Sequence, residues 1–306
     1  MEWFKDSNIN FQQVRRPAMM LSALTIAAGI LVIILQGGLN YSIDFLGGTA
    51  IQLRFEKPVS EGEIRAALTQ IDMNDSEVLR IAALGEDPEI LIRTKKSEIS
   101  EASVENIKAA IRTNLPDNPF EVRAIDAVGP KMGSELRTQA LLATLIALGG
   151  ILIYISIRFE FIFALAAVLA IFHDVVITIG LFSILGKEIS LAIIAAFLTI
   201  VGYSLNDTIV VFDRVRENLK RMRAKGLEEV INTSINQTLS RTIVTGVTTL
   251  LALVVLYIFG GSVIRDFTLA IIVGVVIGTY SSIYIASPIL IEWGARAEKL
   301  QKRKPK

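Results

Sequence analysis

The chain has 306 residues, 52% of them hydrophobic, and a mean hydropathy of +0.53, too apolar for an ordinary soluble protein of this length and in the range of membrane proteins. With 31 Lys and Arg against 30 Asp and Glu, its formal net charge of +1 gives no case for nucleic acid. No cysteine and a single histidine, His173, exclude disulfides, thiolate catalysis, Cys-ligated metals, HExxH chemistry and any multi-histidine metal centre.

Residues 1–16 form a short polar segment ending in Arg15 and Arg16. The apolar run 17–35 is long enough to cross a bilayer, and no A-x-A site closes it, so it reads as an uncleaved anchor rather than a signal peptide. A polar stretch of 36–135 follows. Gly37-Gly38 and Gly47-Gly48 mark turns at its entry. Thr49 to Phe55 alternates like a strand, and Ser60 with Glu63 three residues on is a capping-box signature opening a helix to Ile71. Val78 to Leu84 and Glu89 to Thr94 are strand-like, with Gly85 and Pro88 in the turn between them. Ser100 to Leu115 sets Val104, Ile107, Ala110 or Ile111, and Leu115 at helical spacing, and Phe120 to Val128 alternates again. This β-α-β-β-α-β order predicts a ferredoxin-like fold.

Five more apolar runs follow: Leu136–Ile157, Phe161–Leu185, Leu191–Phe212, Thr242–Phe259 and Phe267–Ile291. The predicted architecture is an α-helical polytopic membrane protein with six transmembrane helices and one α+β extracytoplasmic domain between spans one and two. The five later spans form a bundle over 136–291, with a cytoplasmic loop at 213–241 that reads as helical and strongly charged at first (RVRENLKRMRAKG) and then polar, either a solvated connector helix or a docking surface, and a basic cytoplasmic tail at 292–306. Seventeen Lys and Arg side chains fall in the segments on the side of the termini, against Lys187 and Arg265 alone in the two short opposite loops. The positive-inside rule therefore puts both termini in the cytoplasm and the large domain outside.

The fourth span carries adjacent Asn206 and Asp207. An acid in a spanning helix costs about 2.5–3.5 kcal/mol on insertion scales and marks a functional site by default, the alternative being a polar pin that only holds helices together. Tyr203, Asp207, Val210 and Arg214 share one helical face. Arg241, where the fifth span opens, is either a cationic partner for Asp207 or an ordinary interfacial anchor. His173 and Asp174 sit at the midpoint of the third span, either as a relay or as interhelical hydrogen bonders. On the sixth span Ala270, Gly274, Gly278, Ser282 and Ala286 recur every fourth residue, a small-residue stripe that lets a helix of this chain or of another subunit approach closely. The sequence contains no Walker A or G-x-S-x-G motif.

The motifs DFLGGT (Asp44 to Thr49), VGPKMGSELR (Val128 to Arg137), FHDV (Phe172 to Val175), GYSLNDTIVVFDR (Gly202 to Arg214) and SRTIVTGVTTLLA (Ser240 to Ala252) together resemble the SecF family of protein-export membrane subunits, over nearly the whole chain. The resemblance implies a non-enzymatic subunit of the bacterial cytoplasmic (inner) membrane, in the resistance–nodulation–division superfamily. It implies action with SecD at the SecYEG channel, with YajC and YidC as further partners, on a translocating preprotein among membrane lipids, driven by the proton-motive force. It also implies that Asp207 and Arg241 are the proton-linked pair, with Asn206, His173 and Asp174 as further candidates. No cofactor is expected beyond a coupling ion, proton or sodium. The alternatives are a small-solute or ion-coupled transporter of the same superfamily and a scaffold without energy coupling.

Overall fold

In the computed structural model, residues 7–74, 76–81, 89–94, 101–260 and 262–293 are described. The expected turn at Gly85 and Pro88, and the tail beyond 293, lie outside them. Six helices are long and apolar enough to cross a membrane. Helix α1 spans Arg15–Leu35, and a short helix α2 (Ile43–Leu46) leads into strand β1 (Gly48–Phe55). Helix α3 (Glu61–Thr69), strands β2 (Glu77–Ile81) and β3 (Glu89–Thr94), helix α4 (Glu101–Asn114) and strand β4 (Phe120–Val128) follow. The chain then runs through α5 (Pro130–Arg158), α6 (Phe161–Ile184), α7 (Leu191–Arg221), α8 (Leu227–Phe259) and α9 (Ser262–Ser281).

The four strands form an antiparallel sheet in the order β2-β3-β1-β4. Alternation along β1 sends Ile51, Leu53 and Phe55 to one face, where they meet Ile90 and Ile92 of β3, Ile64 and Leu68 of α3, and Ile107 and Ile111 of α4. The capping box at Ser60 forms as its sequence dictates: the Glu63 carboxylate accepts from the Ser60 backbone N–H and from its Oγ, both at 2.8 Å. These hydrogen bonds, the backbone one foremost, hold the Glu63 carboxyl below its usual range.

The sheet is seated on the helices through residues 40–47. Ser42 N–H donates to the Ile189 carbonyl at 3.0 Å, Ile189 N–H to the Asn40 carbonyl at 2.7 Å, and Leu191 N–H to the Asp44 carboxylate at 2.9 Å. The last bond satisfies a free N–H in the first turn of α7. On β3, Arg93 pairs with Glu188 of the α6–α7 turn and with Glu77 of β2. Gly47 and Gly48 both take positive φ (73° and 132°), and a Cβ on Gly48 would lie 2.4 Å from the Thr94 carbonyl oxygen, so glycine is required there.

Half or more of the most apolar stretch of α6, α7 and α9 is buried, against about a tenth or less for α1, α5 and α8. The three buried helices are the centre of the bundle. Helix α1 lies on α6 at a glycine crossing, where a Cβ on Gly29 would sit 2.8 Å from the Gly180 Cα. The expected cytoplasmic loop at 213–241 is almost wholly helical. Helix α7 runs on to Arg221 and α8 begins at Leu227, because this charged segment pairs at helical spacing: Arg214–Glu217 and Arg221–Glu217, both at 2.8 Å, and Lys225–Glu229 at 2.5 Å.

Candidate functional site

Ser190 caps α7, accepting from the Ile193 N–H, and from there the helix runs unbroken past Asp207. Asp207 is 2% exposed and accepts a hydrogen bond from Thr279 Oγ1 of α9 at 3.3 Å. Gly246 brings α8 to the same place: a Cβ there would lie 3.7 Å from Thr279 Oγ1 and 3.9 Å from the Tyr203 hydroxyl. Three helices thus converge on one carboxylate, with Tyr203 one turn away on its own helix. Buried beside it on α7 is Thr208, and next to Arg241 on α8 is Thr242. Neither hydroxyl has a hydrogen-bond partner among the described residues.

The resemblance implies Asp207 and Arg241 as a proton-linked pair, and no hydrogen bond or ion pair joins them among the described residues. Arg241 is exposed, and its charge acts on Asp207 through space. Helix α8 begins fourteen residues before Arg241, so this arginine sits within the helix, with its side chain exposed. Asn206 precedes Asp207 by one residue, about 100° around the helix, and is exposed.

A second buried carboxylate lies close by. Asp174 of α6 is 0% exposed and accepts from Ser204 Oγ of α7 at 2.5 Å and from Ser281 Oγ of α9 at 2.8 Å, and it shares a 2.8 Å bond with His173 Nδ1. One side chain therefore ties three central helices together. A buried carboxylate is tolerable only when hydrogen-bonded in this way. The ring of His173 stacks on Tyr280 (centroids 6.2 Å apart), whose hydroxyl donates to the Ala18 carbonyl of α1 at 2.7 Å. His173 Nε2 is buried without a partner among the described residues. Ser204 and Asp207 stand three residues apart on α7, about 4.5 Å along the axis, so the two carboxylates act on α7 and α9 from adjacent turns.

The small-residue stripe faces α7 of the same chain. A Cβ on Gly274 would meet Ile200 Cγ1 at 2.2 Å, and one on Gly278 would meet Ser204 Cβ at 3.0 Å, while Ala270 is fully buried. Its four-residue period does not continue to the end. Residues Ser282–Ala286 form a π-helical turn, so Ser282 and Ala286, though buried, lie on a wider turn than the stripe assumes. Pro288 accounts for it, since its ring clashes with the carbonyl four residues back and it donates no N–H. Ser204, Thr279, Tyr280 and Ser281 were not among the residues expected from sequence. The signal was the run of four hydroxyl side chains, Thr279 to Ser282, in an otherwise apolar helix.

Among the described residues no group of acids and histidines is arranged to hold a metal ion. Fold and site together define a polytopic membrane protein with two hydrogen-bonded carboxylates inside its helix bundle. The family described as protein export membrane protein SecD/SecF, C-terminal, matches residues 107–296, and the SecD/SecF GG motif matches 32–59, which contain the glycine turns at 37–38 and 47–48. The chain is 46% identical to the protein translocase subunit SecF of Thermodesulfovibrio yellowstonii, over 94% of this chain and 95% of that one, and 41% identical to that of Vibrio alginolyticus, over 96% and 93%. The crystal structure of SecDF, a translocon-associated membrane protein from Thermus thermophilus, superimposes with a TM-score of 0.87 at 42% identity, covering 96% of this chain and 40% of that one. A SecDF crystal structure in a super-membrane-facing form gives 0.70 at 40% identity, over 99% and 41%. This chain belongs to the SecF branch of the SecD/SecF family. The family is one of translocase subunits, not of enzymes.

Proposed function

We infer that this chain is the SecF-type subunit of a Sec translocation machine, acting with a SecD partner at the SecYEG channel to assist preprotein export, with the proton-motive force as its energy source. The observation that carries the coupling is the placement of Asp207: buried where α7, α8 and α9 meet, held by Thr279, and within the field of Arg241. Protonation removes the negative charge that accepts from Thr279 and attracts Arg241. The packing of α7 against α9 then settles into a second arrangement, a population shift driven by one proton. Helix α7 begins on the Asp44 carboxylate, and the preceding turn pairs with Arg93, so a movement of α7 has a direct mechanical route to the sheet. The sheet's element order and its strand order β2-β3-β1-β4 fit a ferredoxin-like domain, and the positive-inside rule assigns it to the extracytoplasmic side. The fusion of SecD and SecF in the Thermus thermophilus relative favours a SecD partner.

The test is Asp207→Asn in membranes with normal subunit levels. Asparagine keeps the size and an acceptor but carries no titratable charge. Export stimulated by a proton gradient is expected to fall to its gradient-independent level, and unchanged stimulation refutes the coupling. Repeating the assay with a sodium gradient in place of the proton gradient identifies the ion. A second reading, a scaffold without energy coupling, has support in the interhelical hydrogen bonds of Asp174 and Asp207. It requires that the asparagine variant export normally.

A further inference from the structure

On the sheet side of the bundle, α5 stands away from α6 and α7 and leaves a cleft of about 250 Å³. Its walls are apolar: Leu141 and Leu148 of α5, Ile179 of α6, and Phe197 and Val201 of α7. Tyr41, in the segment that seats the sheet, is also on the lining. Arg137 is the one charged side chain on the lining, and no acid accompanies it. We propose that this cleft binds one acyl chain of a glycerophospholipid from the sheet-side leaflet, with the lipid phosphate held by Arg137.

Length and charge both favour that occupant. From Arg137 to Leu148 the cleft follows eleven residues of α5, about 16 Å at 1.5 Å per residue. That is about half of the ~30 Å hydrocarbon core, the depth of one leaflet. Helix α5 is part of a membrane-spanning set and leaves nearly all of its apolar stretch uncovered by the rest of this chain. At the mouth, the Arg137 guanidinium lies 5.7 Å from the centroid of the Tyr41 ring, which holds it across the opening. Arg137 makes no ion pair among the described residues, which leaves its planar fork of N–H donors for a phosphate, the anion it matches best. The site stands apart from Asp207 and does not depend on the export reading.

The test uses the full chain, with any subunits that co-purify, in bilayers of phosphatidylethanolamine and phosphatidylglycerol. These bilayers carry a trace of phosphatidylglycerol with a photoreactive diazirine in one acyl chain. Peptide mapping after illumination is expected to place the label mainly on 141–148 of α5 and 194–201 of α7. In Arg137→Gln the labelling of these segments is expected to drop about fivefold, the worth of one basic side chain at a headgroup. In Thr144→Trp, whose indole fills the cleft, it is expected to fall to the level of bulk lipid contact. Both variants change residues on the lipid-facing helix, and equal melting temperatures would establish that the fold is intact. Label spread evenly over the exposed faces of α1, α5 and α8 and unmoved by either variant overturns the proposal. So does a photoreactive residue at 144 that captures a polypeptide in place of lipid.

Discussion

Gly274 offers the most direct test of how α9 packs. A Cβ at this position would lie 2.2 Å from Ile200 Cγ1, 2.5 Å from its Cδ1 and 2.7 Å from its Cγ2, and Ile200 is fully buried, so it has nowhere to go. In Gly274→Ala the gain in helix propensity is about 1 kcal/mol, while overpacking a filled site costs about 1–3 kcal/mol. The net expectation is a loss of up to about 2 kcal/mol. Ile200→Ala alone opens a cavity and costs about 2–5 kcal/mol. In the double variant the new methyl occupies space that the isoleucine has vacated. The clash is gone and part of the cavity is filled, so the double variant should be more stable than the sum of the singles predicts by about 1–3 kcal/mol. Thermal or denaturant melts of the four proteins in one detergent measure this coupling. If the two changes are additive to within about 0.5 kcal/mol, α7 and α9 do not meet at this crossing and the reasoning is wrong.

Other consequences follow from single side chains. Asp174→Ala leaves Ser204, Ser281 and His173 without their common partner in a buried site. A loss of about 3–5 kcal/mol is expected from the same melts, and a change below about 1 kcal/mol would mean the carboxylate does not hold α6, α7 and α9 together. Glu63 has its pKa depressed in the folded protein from an ordinary value of 4.5, so its contribution to the first turn of α3 is present above that pH and is lost as pH falls through the folded value. Amide protection in Glu61–Thr69, corrected for intrinsic exchange, should therefore decline on acidification in the parent, and the decline should be absent in Glu63→Gln. A parent whose protection is flat from pH 6 to about 3 contradicts the cap.

Much of the fold could be read from the sequence because two signals in it are physically strong. Spans declare themselves where most residues are apolar over the width of a bilayer, and strands such as β1 declare themselves by alternation, since Ile51, Leu53 and Phe55 of one face enter the core. The capping box at Ser60 and Glu63 needs only neighbouring residues, so it too was legible. In the segment 213–241 the charges that mark it as outside the bilayer also suit a helix, so its charged opening was legible as helical, while the continuous helix through its polar second half was not. Likewise, Pro288 stands in an apolar run, and nothing local announces that the chain will absorb it with a wider turn at Ser282–Ala286.

The site divides along the same line. Asp174 and Asp207 stand out because acids are rare in spanning helices, and both prove to be buried at the centre of the bundle. Their partners are serines and threonines, which are common in such helices and commonly bond to their own backbone, as Thr178 and Thr268 do here. Only the packing of α6, α7 and α9 distinguishes Ser204, Thr279 and Ser281 from those. Arg241 illustrates the converse: its type and its place in the motif invite a direct pair with Asp207, but helix rotation decides where a side chain points. What remains between them is a charge acting over distance, which is weaker than a contact pair and easier for one proton to switch off.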